Sequence, residues 1–340
     1  MRNAAITKFD DQTEIQSNNL ERLDLDHEQQ NSERLSYGTN EIEIRVFGLQ
    51  RSGNHALITW ITAQYPKKSW CFLNNIKHGN YDPFQFAAST QTSGLGEDLD
   101  LESLRAADKH LLIYSYEDVV SQMQPSLDFL DSALDATSQA SHRHQRGSSR
   151  NIFDVIVIRD PFNYFASRLK RDDGFGGAVN VPQLVYDWKR MAQYALKAIE
   201  HPVPGLIVGN FNQWFADRNY REELSRRLNG VFSDETKDDV HFFGGGSSFE
   251  SAGACRLPVV EVLRKWKKAF HPKRYLRLQW YLQRVFFAPK GSQMKVTQRW
   301  MKMIADERYR QIFRDPEIAG LSHQLFGYLP GTSEFIASIA

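Results

Sequence analysis

VFGLQRSGNHALITW, residues Val46 to Trp60, decides the fold. An apolar stretch runs into Gly48, a short loop follows, and after Gly53 the residues Leu57, Ile58, Trp60 and Ile61 return at helical spacing before Pro66. The pattern is a strand, a tight glycine turn and a helix. Such a unit aims unpaired backbone N–H groups and the positive end of a helix dipole at one spot, an anion site whatever the side chains. Gly48 and Gly53 stand five apart, as in the phosphate loop G-x-x-x-x-G-K-S/T, but Asn54 and His55 occupy the Lys and Ser/Thr places. The groups that grip terminal phosphates and anchor Mg²⁺ are missing, and the positive charge sits inside the loop, at Arg51. An NTP hydrolase is poorly served by that arrangement. A donor with fewer negative charges and no need of a metal fits it.

Outward from this unit, the strand spans Glu41 to Leu49, and the polar residues 1–40 before it read as a mobile tail. A second strand is expected at His110–Val119. The stretch before it, which includes Asn74 to Leu104, is too polar and broken for core and reads as long loop. Residues 131–150 read as an exposed insertion, which makes His142 and His144 poor metal ligands. The β-branched run Val155–Ile158 predicts a strand covered on both faces, followed by a helix through Phe162, Phe165, Ala166 and Leu169. Val181–Glu200 predicts a helix, GLIVGNF a fourth strand and YREELSRRL a short helix; the chain is mainly helical over 258–330. Strands interleaved with helices predict one α/β domain over 41–335: three layers, α/β/α, around a mostly parallel sheet.

Composition narrows the function. Lys plus Arg at 42 against Asp plus Glu at 41 leaves a formal charge of +1, so no global field recruits nucleic acid or anionic membrane, and any anion site is local. The two cysteines, Cys71 and Cys255, have neither disulfide-framework nor zinc spacing, and no metal site is expected. There is no apolar leader core, no membrane-spanning run and no N-x-S/T acceptor, which reads as a cytoplasmic protein. The basic, aromatic Lys267–Phe287 reads as a helix packed on the sheet with a cationic outer face.

With GLQRSGNHAL in view, the chain resembles the sulfotransferases that use 3′-phosphoadenosine 5′-phosphosulfate (PAPS), whose 5′-phosphosulfate loop has the form P/R-K/R-S-G-T/N-x. The RSGNH spelling is closer to a bacterial branch. The resemblance implies a P-loop-like fold. It gives Arg51 the bridging and transferring oxygens, and lines the cradle with Ser52, Gly53, Asn54 and His55. In that family an Arg ending a strand and a Ser eight residues later bind the 3′-phosphate; Arg159 and Ser167 in VIRDPFNYFASR match. An Arg at a strand end can fork onto a phosphate, and a Ser two helical turns on can add a hydroxyl. A late glycine-containing loop that folds over the nucleotide matches FFGGGSSFESAGACRLP, with Gly245, Gly246, Ser247, Ser248 and Arg256 as contacts.

Sulfuryl transfer to a hydroxyl or amine needs a base for the acceptor proton. The resemblance places it after the second strand, where YSYEDV offers Glu117; His55 and His78 compete, and the sequence does not choose. Tyr81, Phe84, Phe86 and Phe175 are expected as apolar walls for a small-molecule acceptor, beside Asp172 and Asp173. The acceptor class is metabolite, lipid or sugar. A P-loop kinase-like phosphotransferase and a non-catalytic nucleotide-binding protein are the alternatives.

Overall fold

The computed structural model describes residues 38–67, 69–74, 76, 83–84, 92–93, 101–118, 148–171, 179–237 and 299–339. Six strands form one sheet: β1 (Thr39–Gly48), β2 (Trp70–Leu73), β3 (Thr92–Ser93), β4 (Lys109–Glu117), β5 (Ser148–Ile158) and β6 (Leu206–Asn210). Their order is β3-β2-β4-β1-β5-β6, parallel throughout except for the β2–β3 pair. The mostly parallel α/β sheet is the one expected.

β1 lies at the centre, with β4 on one side and β5 on the other. Its EIEIR alternation would suit a half-solvated sheet, yet both faces are covered. Ile42, Ile44 and Val46 pack on one side, while Glu43 and Arg45 are buried on the other. They persist there because neighbouring strands satisfy them. Arg45 forks onto Asp154 of β5 at 2.6 and 2.7 Å. Glu43 accepts from Tyr114 Oη at 2.5 Å and Ser149 Oγ at 2.6 Å.

Helices cover both faces. Helix α1 (Asn54–Thr62) lays Leu57, Ile58, Trp60 and Ile61 on the Ile42–Ile44–Val46 face, as the sequence spacing predicts. Further on, α2 (Leu101–Ala106), α3 (Pro161–Arg171), α4 (Val181–Glu200), α5 (Phe211–Ala216) and α6 (Arg218–Arg227) follow. A 3₁₀ turn at Arg299–Met303 and helices α7 (Glu307–Ile312), α8 (Pro316–Phe326) and α9 (Thr332–Ile339) close the chain. Phe162 of α3, Trp300, Phe313 and Phe335 knit this helical end to α3; Phe162 and Phe313 stack with ring centroids 4.5 Å apart. The α4 helix matches its predicted span, because Asn180 caps it and Pro182 sits in the first turn.

Three expectations need correction. Thr39 and Asn40 belong to β1, paired with Ser148 and Lys109, so the tail is shorter than 1–40; residues 1–37 lie outside the described residues. Residues 148–150 of the expected insertion open β5, and 131–147 lie outside the description. The stretch read as loop adds α2 and β3, and with β2 just before it the sheet gains two strands beyond the four foreseen. Within that stretch Ile76, Phe84 and Leu104 are buried among Cys71, Leu73, Leu112 and Tyr114. Residues 258–298, including Lys267–Phe287, are outside the description.

Candidate anion-binding site

The chain leaves β1 through α1 toward β2 on one side, and leaves β5 toward β6 on the other. Adjacent β1 and β5 are therefore the switch point of the sheet, where open α/β folds leave a crevice beyond the carboxyl ends of the strands. Arg51 and Arg159 emerge there.

Beyond Gly48 the loop turns tightly, with Ser52 N–H donating to Leu49 C=O at 3.1 Å. Arg51 takes a left-handed φ of 75°, uncommon for a residue with a side chain. Gly53, with φ 95°, is the N-cap of α1, and no side chain caps the helix. A Cβ on Gly53 would stand 2.2 Å from the Phe211 ring, so that position excludes larger residues twice over. Gly48 answers a different need: its missing side chain leaves the space that Asn54 fills, 2.2 Å from where a Cβ would be.

Asn54, expected to line the cradle, is the first residue of α1 and is buried. Its side chain folds back beneath the loop and donates Nδ2–H to Leu49 C=O at 3.1 Å and to Glu117 Oε1 at 3.4 Å. Steric room over Gly48 draws it inward. The Ser52 hydroxyl is fully buried with no hydrogen-bond partner among the described residues, and Asn54 Oδ1 is in the same state. An orphaned buried hydroxyl is costly unless something else occupies its hydrogen-bonding capacity.

Arg159 follows the last residue of β5. Its Nη1–H donates to Arg51 C=O at 3.1 Å, and its guanidinium stands 5.1 Å from the Phe211 ring centroid. The same ring thus floors both Gly53 and Arg159. Fully buried Asp160 immediately precedes α3, accepting from Asn163 N–H at 2.8 Å and from Asn212 Nδ2 at 2.9 Å. Ser167 lies buried on α3.

His55 and Glu117, separate candidates in the sequence, come together. His55 Nδ1 is 3.6 Å from Glu117 Oε1, and its Nε2 is 3.0 Å from Asn74 Oδ1, which also accepts from Ser115 Oγ at 3.1 Å. His78, the third candidate base, lies outside the described residues, as do Gly245, Gly246, Ser247, Ser248 and Arg256. Of the expected acceptor walls, Phe84 is core, 2% exposed, with Arg105 and Lys109 cations near its ring face. Tyr81, Phe86, Asp172, Asp173 and Phe175 are outside the description.

Sequence reasoning missed a brace behind the loop. Asp118, also left-handed at φ 52°, accepts Gln50 N–H at 2.7 Å and Arg168 Nη1–H at 3.1 Å. Arg168 Nη1 also reaches Gln50 Oε1 at 3.3 Å. Burial opposes the charge of Arg168, but Tyr164, Asp118 and Asp187 outweigh it and hold its pKa up. Burial, with help from the nearby Asp118 and Asp187 carboxyls and against Arg168, drives the Tyr164 hydroxyl well above its ordinary range. Burial also pushes the Asp187 carboxyl up to about 6, against the Gln183 hydrogen bond that favours its charge. The available signal was position: Asp118 follows Glu117, and Arg168 follows Ser167.

No helix among the described residues is long and apolar enough to cross a membrane. No family model matches the chain, and no curated protein matches it. Among solved structures it is similar to the sulfotransferase domain of the olefin synthase from Synechococcus PCC 7002, at 12% identity over 86% of this chain and 98% of that one, with a TM-score of 0.39. It is also similar to the mouse sulfotransferase SULT7A1 complexed with PAP, at 12% identity over 83% of this chain and 91% of that one, with a TM-score of 0.35. At that identity and those TM-scores, neither likeness assigns an activity to this chain.

Proposed function

We propose that the protein is a cytoplasmic, PAPS-dependent sulfotransferase that moves a sulfuryl group in line onto a hydroxyl or amine of a small molecule, a metabolite, lipid or sugar. The observation that carries the reading is the hydrogen bond from Arg159 Nη1 to Arg51 C=O, which puts two arginines from adjacent parallel strand ends at one crevice. A ligand with anionic groups at both ends of a nucleoside meets one cation from each strand.

The residues present fit that donor. Ser52 offers a buried hydroxyl lacking a partner among the described residues, and the uncapped N-terminus of α1 offers backbone N–H groups. Arg159 and Ser167 suit the 3′-phosphate. When bound, PAPS supplies an SO₃ group on a phosphate leaving oxygen. As the sulfur–oxygen bond to that phosphate breaks and a bond to the acceptor forms, Arg51 and the loop N–H groups stabilise the charge on the leaving oxygen. The acceptor proton passes to the Glu117–His55 pair. A kinase-like reading finds no support in Asn54, whose side chain is turned under the loop where the P-loop lysine would reach the phosphates.

The test is a screen of metabolite extracts with labelled PAPS, read as a mass gain of about 80 Da, that of SO₃. A labelled product that depends on the protein supports the reading; tight binding of adenosine 3′,5′-bisphosphate without any turnover replaces it by a non-catalytic nucleotide-binding role. Arg159→Ala should weaken adenosine 3′,5′-bisphosphate at least about tenfold more than AMP, and equal losses count against the 3′ assignment.

A further inference from the structure

The segment that carries Arg159, Ser167 and Arg168 touches the phosphate loop at two consecutive residues. Arg159, at the end of β5, holds the Arg51 carbonyl at 3.1 Å. Nine residues on, Arg168 holds the Gln50 side chain at 3.3 Å and Asp118 at 3.1 Å, while Asp118 takes the Gln50 N–H at 2.7 Å. Asp118 in turn donates its N–H to Gly48 C=O at 3.2 Å. The loop from Gly48 to Arg51 is therefore clasped by the very segment that presents Ser167, and Ser167 and Arg168 are neighbours on α3. Side-chain exposures of 20% for Arg168 and 12% for Asp118 leave this ion pair only partly screened. A displacement of α3 cannot leave the loop where it is.

We infer that Arg168 is a positioning residue that couples the two anion pockets, so that occupation of the Arg159–Ser167 pocket sets the shape of the Arg51 loop and the protein selects adenine nucleotides phosphorylated at both the 3′ and 5′ positions over those carrying a 5′ group alone. The inference rests on the donor reading above. Arg168 itself touches no reacting atom. One of its nitrogens makes both contacts, so a lysine ammonium, with three donors, can reproduce them in part, whereas methionine keeps the apolar stem and loses both.

Two measurements on the full chain test it. Amide hydrogen exchange without nucleotide compares the wild type with Arg168→Met and Arg168→Lys. Residues 49–53 should exchange about tenfold faster in Arg168→Met, with Arg168→Lys between and β1 and β5 unchanged. Unchanged loop exchange overturns the coupling, and faster exchange throughout the sheet shows a general fold role and overturns it equally. Equilibrium binding of adenosine 3′,5′-bisphosphate, AMP and 3′-AMP is the second. In Arg168→Met the advantage of the bisphosphate over AMP should shrink about tenfold, with 3′-AMP nearly unaffected and Arg168→Lys restoring part of it. Equal losses for all three ligands overturn the inference. A wild type that binds none of the three overturns the donor reading and with it the selectivity; the exchange arm, which needs no nucleotide, then still reports whether Arg168 shapes the loop.

Discussion

His55 Nδ1 faces Glu117 Oε1 across 3.6 Å, from the first turn of α1 to the end of β4, with Asn74 holding the opposite nitrogen of the ring at 3.0 Å. Under the function proposed above, this carboxyl and imidazole share the task of taking the acceptor proton. Glu117→Gln should lower kcat by about 10²–10⁴-fold and leave adenosine 3′,5′-bisphosphate affinity within about threefold of wild type. The measurement uses the acceptor found in the labelled-donor screen. Near-normal kcat in that variant removes Glu117 from the reaction and shifts the role to His55 or His78.

Arg51 adopts a left-handed backbone at φ 75°, a conformation that costs a residue with a Cβ about 1–2 kcal/mol. Arg51→Gly relieves that strain and removes the guanidinium. Its urea-denaturation midpoint should stay level or rise, by up to about 1 kcal/mol in stability, while transfer is abolished. A folded variant that keeps turnover rules out the assigned role.

Gly53 combines φ 95° with a ring 2.2 Å from the place of any Cβ. Gly53→Ala should destabilise by about 2–4 kcal/mol, the left-handed cost and the overpacking adding together. Pairing it with Phe211→Ala should recover the steric part and leave the backbone part. Chemical denaturation of the single and double variants separates the two.

Burial raises the Asp187 carboxyl to about 6, above its unfolded value, so the native chain binds this proton more tightly than the unfolded chain does. The stability it contributes is complete below about pH 4 and is lost as pH rises through about 6. Asp187→Asn keeps an acceptor for Gln183 Nε2, which donates at 2.8 Å, and removes the titration. Melting temperatures of the two proteins should coincide near pH 4 and separate by pH 7, with the variant higher. A gap that does not change with pH would show that the carboxyl titrates normally.

The Val46–Trp60 unit was legible because everything that makes it is local: an apolar strand, two glycines at fixed spacing and a helical stripe. The Val155–Leu169 unit and the capped α4 helix were legible for the same reason. β2 and β3 were not, since four and two residues are too few to show a period. The polar residues were harder still. Glu43 and Arg45 look like a solvent face, and Asn54 like a phosphate ligand, until partners far along the chain or an empty space over Gly48 take them in.

Sequence by itself determined that two strand–turn–helix units exist, each with an arginine at its strand end, because backbone preference and side-chain period act over a few residues. Only the tertiary structure decided that those arginines meet. The pairing of β1 with β5 brings together residues 108 positions apart, and with the pairing of β1 to β4 it leaves Asp118 and Arg168 to clasp the loop between them. Such contacts depend on which strands become neighbours, a choice made by burying whole faces of the sheet and invisible in any short window of the chain.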